Sequence, residues 1–227
     1  SRVVQIHDIE DKKEINFSKS LSETNALIDK SIVRCWGKNA EKRMIQAIDN
    51  AKSNGDSVGG LIEIYCSGLP FGLGSYTQWD KKLQSKISES LLSINAFKGI
   101  EFGMGFNVAY NLGSKVHDEI EINNKKLKRK TNNAGGIEGG MSNAEPLKIR
   151  LSMKPIPTLT KPLNSVDINT NKTKKAHKER TDSCAVPAAS VIAENLLCIV
   201  ISDAILSKFG GDSMNQLKNH IKQSAKF

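Results

Sequence analysis

The sequence of 227 residues contains little of the material from which metal, redox or stacking sites are built. Its four cysteines are far apart without a CxxC pair, and none of its four histidines lies at metal-ligand spacing from another. We therefore expect no metal site and free thiols, which are typical of a reducing, cytoplasmic compartment. No GxGxxG segment follows a predicted strand and no βαβ unit repeats, which argues against a doubly wound dinucleotide-binding fold.

Aromatic residues are also scarce, at 5% of the chain, and no predicted helix carries a stripe of arginines. Both shortages argue against a nucleic-acid-binding protein, although 33 Lys and Arg against 24 Asp and Glu give a net charge of +9. That charge suits an anionic partner: nucleic acid, a membrane surface, or a phosphorylated or carboxylated small molecule. The basic run 125–130 is typical of a solvated loop.

The start of the chain bears on whether it is truncated, and its most apolar stretch bears on whether it spans a membrane. The sequence has no initial Met and no signal-type segment, and it enters a strand-like run at residues 3–6 directly. We interpret this as a truncated start. The most apolar stretch, 188–206, contains Glu194 and Asp203, so it is predicted to be a buried helix and not a membrane span.

Apolar periodicity predicts an α+β fold. Helices are predicted at 39–53, 80–93, 187–208 and after 213, and the third should be nearly fully buried because apolar positions cover most of its circumference. Strands are predicted at 3–6, 61–66, 100–102, 147–154 and around 166–168, with strict alternation only in 147–154. The Gly/Pro-rich residues 68–74 predict a shaped turn, and the charged residues 118–130 predict a mobile loop.

Residues 131–140 include four glycines in ten positions and almost no bulk. Glycine lets backbone approach a ligand closely, and successive N–H groups can form a concave anion site. A flexible surface loop is an equally good interpretation of this segment alone. Since 118–130 and 131–140 have little to bury, both are predicted to be poorly ordered without a ligand.

Two further segments could carry chemistry. Two prolines stiffen the exit of strand 147–154, so the backbone groups of 154–158 are held in place before a ligand arrives. Arg180 precedes the long helix and could clamp an anion, while Asp182 could pair with Arg180, cap the helix or handle a proton. Cys184 near the helix start could have a lowered pKa, but no histidine partner is implied, so we interpret it as structural.

Six motifs occur in an order that closely resembles chorismate synthase. They are the segments 55–60 (GDSVGG), 68–74 (GLPFGLG), 93–99 (SINAFKG), 131–140 (TNNAGGIEGG), 154–158 (KPIPT) and 180–187 (RTDSCAVP). The match runs from about residue 3 to residue 222. On this basis residues 1–227 are expected to be the C-terminal part of a single chorismate synthase domain.

The resemblance implies fold, reaction and partners. The family fold is a β-α-β sandwich, with helices between antiparallel sheets, assembled as a homotetramer. The family converts 5-enolpyruvylshikimate 3-phosphate to chorismate by 1,4-elimination of phosphate, using reduced FMN without net redox change, and NADP is associated with the family. Both ligands are polyanions, in keeping with the net charge of +9. The expected protein is a cytoplasmic lyase of aromatic amino acid biosynthesis, without nucleic-acid or membrane partners.

Carried over motif by motif, the resemblance implies one catalytic residue and a set of flavin contacts. Asp182 matches the family aspartate placed near flavin N5, where it would assist proton movement. The implied flavin contacts are Asn95, Ala96, Gly139, Lys154, Pro155, Ile156, Pro157, Thr158 and Arg180.

This sequence departs from the family pattern in three ways. Gln84 stands where the family usually has an acidic residue, and Ala144 where it usually has glycine. The Gly-Glu-Ser-His-Gly and Arg-Pro-Gly-His segments, which supply two catalytic histidines and substrate-binding arginines, do not occur in these 227 residues. We therefore expect the chain alone to be inactive. The alternative is a non-catalytic module that binds FMN or another phosphorylated anion.

Overall fold

The computed structural model describes residues 1–15, 20–123, 126–178 and 181–224. It divides into two compact units. Unit 1 comprises Ser1–Ile62, Ala96–Lys98 and Ser152–Val191, and unit 2 comprises Glu63–Asn95, Gly99–Leu151 and Ile192–Phe227. Because the chain passes between the units several times, each unit combines segments that are distant in sequence.

The strands of the described residues form one larger sheet and three hairpins. The strands are β1 (Arg2–Ile6), β2 (Ile9–Glu10), β3 (Gly60–Cys66), β4 (Phe97–Phe102), β5 (Ile120–Asn123), β6 (Lys126–Arg129), β7 (Ile137–Glu138), β8 (Met141–Ser142), β9 (Leu147–Met153), β10 (Asn164–Asp167) and β11 (Lys172–Lys175). The larger sheet has the order β2-β1-β3-β9-β4. The pairs β1–β2, β5–β6, β7–β8 and β10–β11 are antiparallel.

Helices account for much of the remaining chain. They are α1 (Leu21–Ile28), α2 (Lys38–Ser53), α3 (Leu83–Leu92), α4 (Gly113–Val116), α5 (Val186–Phe209) and α6 (Met214–Gln223), with 3-10 turns at Trp79–Lys81 and Gly105–Tyr110. This mixture of helices and antiparallel strands confirms the predicted α+β class. The helix predicted at 80–93 begins later than expected, at Leu83, because the residues before it form a 3-10 turn.

In unit 1, α2 packs against β1 and β2. Met44 of α2 is fully buried, as predicted from its apolar face, and so are Val3 and Ile6 of β1. The buried carboxylate of Asp11 accepts hydrogen bonds from the N–H groups of Trp36 and Gly37 at 2.8 Å each. A buried carboxylate needs such donors, and these bonds fix the chain entering α2.

In unit 2, the core is built from two apolar faces that the sequence predicts. Leu83, Ile87 and Leu91 of α3 are fully buried. Leu147, Ile149 and Leu151 of β9 are also fully buried, while the intervening positions are not. On the other face of β9, the Arg150 guanidinium lies 3.4 Å from the buried Glu63 carboxylate and 3.6 Å from that of Glu101.

The described residues of 118–130 include a β-hairpin and not only the loop that the sequence predicts; residues 124–125 lie outside the described residues. β5 and β6 form a hairpin in which Ile120 pairs with Arg129 and Ile122 with Leu127. The sequence does not reveal this hairpin, because its isoleucines are few among charged and amide residues. Ile120 and Ile122 are exposed in the structure, so no buried face produces an alternating apolar pattern. The reason given for poor order in 131–140 is also wrong, since Gly135, Gly136 and Gly140 are buried and hydrogen-bonded.

The long helix α5 begins and ends within one residue of its predicted bounds, but it is not nearly fully buried. Ala193, Leu197, Val200, Ile201 and Ala204 are buried, whereas Val191, Ile192, Ile199 and Leu206 are exposed. By length and composition alone α5 could cross a membrane, which is weak evidence because core helices of soluble proteins pass the same test. Apolar periodicity shows which residues avoid water but not how many neighbours are present to cover them.

Candidate functional site

The segment 154–158 leaves β9 in unit 1 as a stiff, partly exposed strand end. Its prolines at 155 and 157 have no N–H group and fix φ, which limits the conformations of this segment. The N–H of Lys154 donates to the Ala96 carbonyl at 2.9 Å. Among the described residues, the N–H groups of Ile156 and Thr158 make no hydrogen bond. Two backbone donors on one preorganised segment, beside the exposed Lys154 ammonium, suit an anionic ligand.

Ala96, whose carbonyl accepts the hydrogen bond from Lys154, has a strained backbone conformation. Its φ is +71°, in the left-handed region that alanine rarely adopts. Such strain costs about 1–3 kcal/mol and tends to be retained where it serves function. Asn95, immediately before it in the chain, has an exposed side chain.

The residues before α5 reach the same segment. The Thr158 hydroxyl donates to Thr181 Oγ1 at 2.8 Å. The Val58 N–H donates to the Ser183 carbonyl at 2.8 Å. Unit 1 therefore brings together 154–158, Ala96 and 181–183, which are far apart in sequence.

Asp182, between Thr181 and Ser183, has an exposed side chain. The hypothesis that it caps the long helix is wrong, because α5 begins at Val186 and the preceding residue is Ala185. Arg180, the candidate anion clamp, lies outside the described residues. The Asp182 carboxylate is thus accessible beside the segment, which is compatible with proton handling.

The turn 55–60 packs against the segment 154–158 through Gly59 and Ser57. A Cβ on Gly59 would lie 2.2 Å from the Met153 carbonyl oxygen and 2.9 Å from Lys154 C and Pro155 N, so only glycine fits there. The Ser57 hydroxyl donates to the Ile156 carbonyl at 2.6 Å. From the sequence, this turn contributes only to the family resemblance, and its supporting contacts appear only in the folded chain.

We expect Gly59→Ala to lower the free energy of unfolding by about 3 kcal/mol, because the new methyl group meets backbone atoms that cannot rotate away. Urea unfolding of the purified chain measures this. The matched control is Gly113→Ala, whose Cβ would meet nothing closer than 3.6 Å. The control should change stability by less than about 0.5 kcal/mol; equal effects of both substitutions would contradict the steric argument.

A cavity of about 550 Å³ in unit 1 adjoins this turn, and its wall includes Ser57, Gly59 and Pro155. Its charged side chains are one arginine, Arg43, and the carboxylates of Asp8 and Asp56, besides the titratable His7. This wall lacks the excess positive charge that a polyanion requires. We therefore assign the candidate site to the backbone and side chains of 154–158 and not to this cavity.

Gly139 lies in unit 2, in the turn that joins β7 to β8. Gly139 and Gly140 both have positive φ, at 58° and 90°, which is typical of a two-residue hairpin turn. No atom lies within 4 Å of a Cβ built on Gly139, so its backbone is open to approach. A Cβ on Gly140 would meet the Ser75 carbonyl oxygen at 2.7 Å.

Asp118 fixes the first half of the glycine-rich segment. Its carboxylate accepts hydrogen bonds from the Thr131 hydroxyl and from the N–H groups of Asn133 and Ala134, at 2.5–2.9 Å. Burial alone would raise the pKa of Asp118, but these bonds outweigh it and lower the pKa. His117 beside it is exposed. A histidine followed by an aspartate could form an acid–base pair, whereas the structure gives Asp118 an anchoring role.

The remaining candidates carry no activated group. Burial raises the pKa of the Cys184 thiol, and a hydrogen bond from Val186 lowers it less, so the lowered pKa considered from the sequence is wrong. All four cysteines are free. In the part of the chain that the structure describes, no three His, Cys, Asp or Glu side chains come together as a metal site would require.

Comparison with known proteins identifies the family. The sequence model of the chorismate synthase family matches residues 1–206. Chorismate synthase from Listeria welshimeri is 53% identical over 205 residues, which are 90% of this chain and 53% of the relative. Chorismate synthase 2 from Bacillus cereus is 48% identical over 226 residues, 99% of this chain and 57% of the relative. The chain belongs to the chorismate synthase family.

A solved structure agrees with this assignment. A crystal structure of chorismate synthase superposes with a TM-score of 0.80 at 36% sequence identity, covering 97% of this chain and 60% of the other. The fold is therefore that of the family, as predicted. The chain spans about half the length of the curated relatives it matches.

The structure also bears on the two substitutions that depart from the family pattern. Ala144 has a φ of +69°, which explains why glycine is usual at this position. Alanine costs about 1–2 kcal/mol in this conformation. Gln84 has a buried Oε1 atom that accepts no hydrogen bond from the described residues, and a charged carboxylate would be less easily accommodated at such a position.

Proposed function

We propose that this chain is the flavin-binding part of a chorismate synthase, in which 5-enolpyruvylshikimate 3-phosphate is converted to chorismate and phosphate by 1,4-elimination. In this reaction the C–O bond to phosphate and one C–H bond of the substrate ring break, and a new C=C bond forms. The observation that carries the proposal is the convergence of 154–158, strained Ala96 and 181–183 within unit 1.

Each of these residues has a proposed role toward reduced FMN. The exposed Lys154 ammonium and the N–H groups of Ile156 and Thr158 would bind its anionic or carbonyl oxygens. Pro155 and Pro157 would keep those donors in place, and Ala96 would hold Lys154 through their hydrogen bond. Asn95, Gly139 and Arg180 are proposed flavin contacts on the motif resemblance, and Arg180 would add a planar, bidentate cation.

Asp182 is the proposed catalytic residue. When bound, reduced FMN would supply electron density to the substrate as phosphate leaves. The exposed Asp182 carboxylate would then hold or move the proton at flavin N5. The backbone carbonyl of Asp182 accepts a hydrogen bond from the Thr181 hydroxyl at 3.3 Å. This bond restrains the backbone from which the Asp182 side chain projects.

The partners of the proposed enzyme follow from its chemistry. Both ligands carry several negative charges, and the chain carries a net charge of +9. On the resemblance, the full-length enzyme would act in the cytoplasm as a homotetramer on a small-molecule substrate. A non-catalytic module that binds FMN or a phosphorylated anion is the second candidate, because the exposed Lys154 ammonium and the N–H groups of Ile156 and Thr158 suit any such anion.

The test is titration of the purified chain with FMN, oxidised and reduced, followed by flavin fluorescence or absorbance. We expect saturable binding that Lys154→Gln weakens about tenfold, because a neutral amide removes one charge-assisted contact. The matched control is Lys161→Gln, another exposed lysine a few residues further along. Failure of the wild-type chain to bind FMN, or equal losses in both variants, would contradict the proposed site.

A further inference from the structure

We propose that Ser57 is a positioning residue that sets the conformation of the segment 154–158 through its hydrogen bond to Ile156. Ser57 itself touches neither flavin nor substrate in this proposal. That this conformation matters for flavin binding rests on the proposed function above. That Ser57 fixes the conformation rests only on the contacts within unit 1.

The Ser57 hydroxyl is well placed for this role. The residue is 7% exposed, and its Oγ donates to the Ile156 carbonyl oxygen at 2.6 Å. Its own N–H donates to Asp56 Oδ1 at 2.8 Å. A buried hydroxyl that makes a single short bond across about a hundred residues of sequence restricts both partners.

The hydrogen bond acts on the peptide group that lies between the two free donors. The Ile156 carbonyl belongs to the peptide between Ile156 and Pro157, and this peptide has no N–H of its own. It lies between the N–H groups of Ile156 and Thr158, which are unbonded among the described residues. Because the Pro157 ring fixes φ at residue 157, fixing this peptide plane narrows the range of orientations open to the two flanking donors.

Other residues of the turn 55–60 also contact the chain on either side of Ile156. The Lys161 N–H donates to the Gly55 carbonyl at 3.0 Å. Gly59 lies too close to Met153 and Lys154 for any side chain, with a Cβ position only 2.2 Å from the Met153 oxygen. Ser57 donates a side-chain hydrogen bond to the segment, and Ser57→Ala removes this bond without adding atoms to the turn.

The first measurement needs no ligand. Backbone order parameters of Ile156 and Thr158, and the carbonyl shift of Ile156, are measured by NMR in the wild-type chain, Ser57→Ala and Ser53→Ala. The control residue Ser53 is an exposed serine of the same unit whose hydroxyl donates to Asn50, at the end of α2. We expect lower order and a shifted carbonyl resonance only in Ser57→Ala. An unchanged segment in Ser57→Ala would overturn the positioning role.

The second measurement is FMN affinity of the same proteins. Ser57→Ala should raise the dissociation constant about five- to thirtyfold, the equivalent of one lost buried hydrogen bond, and Ser57→Thr should restore most of the affinity because it retains the hydroxyl. Ile87→Val in the core of unit 2 serves as a destabilised control, compared at the same loss in urea midpoint. If Ile87→Val lost as much FMN affinity as Ser57→Ala, the effect of Ser57 would be one of stability alone, and the positioning role in flavin binding would be contradicted.

The two measurements separate the possible failures. A wild-type chain that binds no FMN contradicts the proposed function, while the order parameters still decide whether Ser57 positions the segment. A disordered segment in Ser57→Ala with unchanged FMN affinity contradicts the functional part of this inference and leaves the proposed site intact.

Discussion

The purified 227-residue chain, supplied with reduced FMN and 5-enolpyruvylshikimate 3-phosphate, is expected to form no detectable chorismate. The Gly-Glu-Ser-His-Gly and Arg-Pro-Gly-His segments are absent from this sequence. The resemblance assigns them two catalytic histidines and several substrate-binding arginines. Each general acid or base typically contributes about 10²–10⁴ in rate, so losing two removes most of the acceleration. Chorismate is measured directly by chromatography after anaerobic incubation.

A chimera provides the positive control. The N-terminal family part that, on the resemblance, carries the two histidine motifs is taken from the Listeria welshimeri relative and joined in front of Ser1, and turnover should then be restored. Replacing the two motif histidines of that added part by alanine should abolish turnover again. Chorismate formed by the 227-residue chain alone would overturn the prediction. A chimera that binds FMN but stays inactive would favour the non-catalytic module.

Asp182→Asn in the active chimera is expected to lower turnover about ten- to a thousandfold while changing FMN affinity only a few-fold. Asparagine preserves the shape of the side chain but cannot accept and release a proton, so a proton-transfer role is lost while contacts remain. Steady-state kinetics gives turnover, and flavin titration gives affinity. Because Asp182 is exposed, Asp182→Asn should change stability by less than about 0.5 kcal/mol, and the urea midpoint of the variant checks this.

The competing interpretation of Asp182 is a surface carboxylate without function. It predicts unchanged turnover in Asp182→Asn, just as in Asp212→Asn, a second exposed aspartate that serves as the matched control. Unchanged turnover in an Asp182→Asn chimera that still binds FMN would rule out proton handling. A parallel loss of FMN affinity and turnover would instead assign Asp182 to flavin binding.

Secondary structure was predicted well where one face of an element is buried and poorly where exposure is two-sided. The apolar faces of α3 and β9 are regular, and both are buried as expected. The β5–β6 hairpin was mistaken for a mobile loop because exposed Ile120 and Ile122 mix with charged residues and no buried face imposes a period of two. The exposed residues of α5 show the same limit, since burial depends on neighbours that the pattern does not name.

Apolar periodicity alone predicts the α+β class, and the prolines of 154–158 mark that segment as stiff, because such residues act within a few positions of themselves. The family comes from the resemblance of six ordered motifs, which also points to the segment 180–187. Three features come only from the folded chain: Ser57 reaches Ile156, Asp118 anchors the glycine-rich segment, and Asp182 does not cap α5. Each of these depends on a hydrogen bond or a helix start set by packing between distant segments, and no local pattern encodes which distant donor will meet which acceptor.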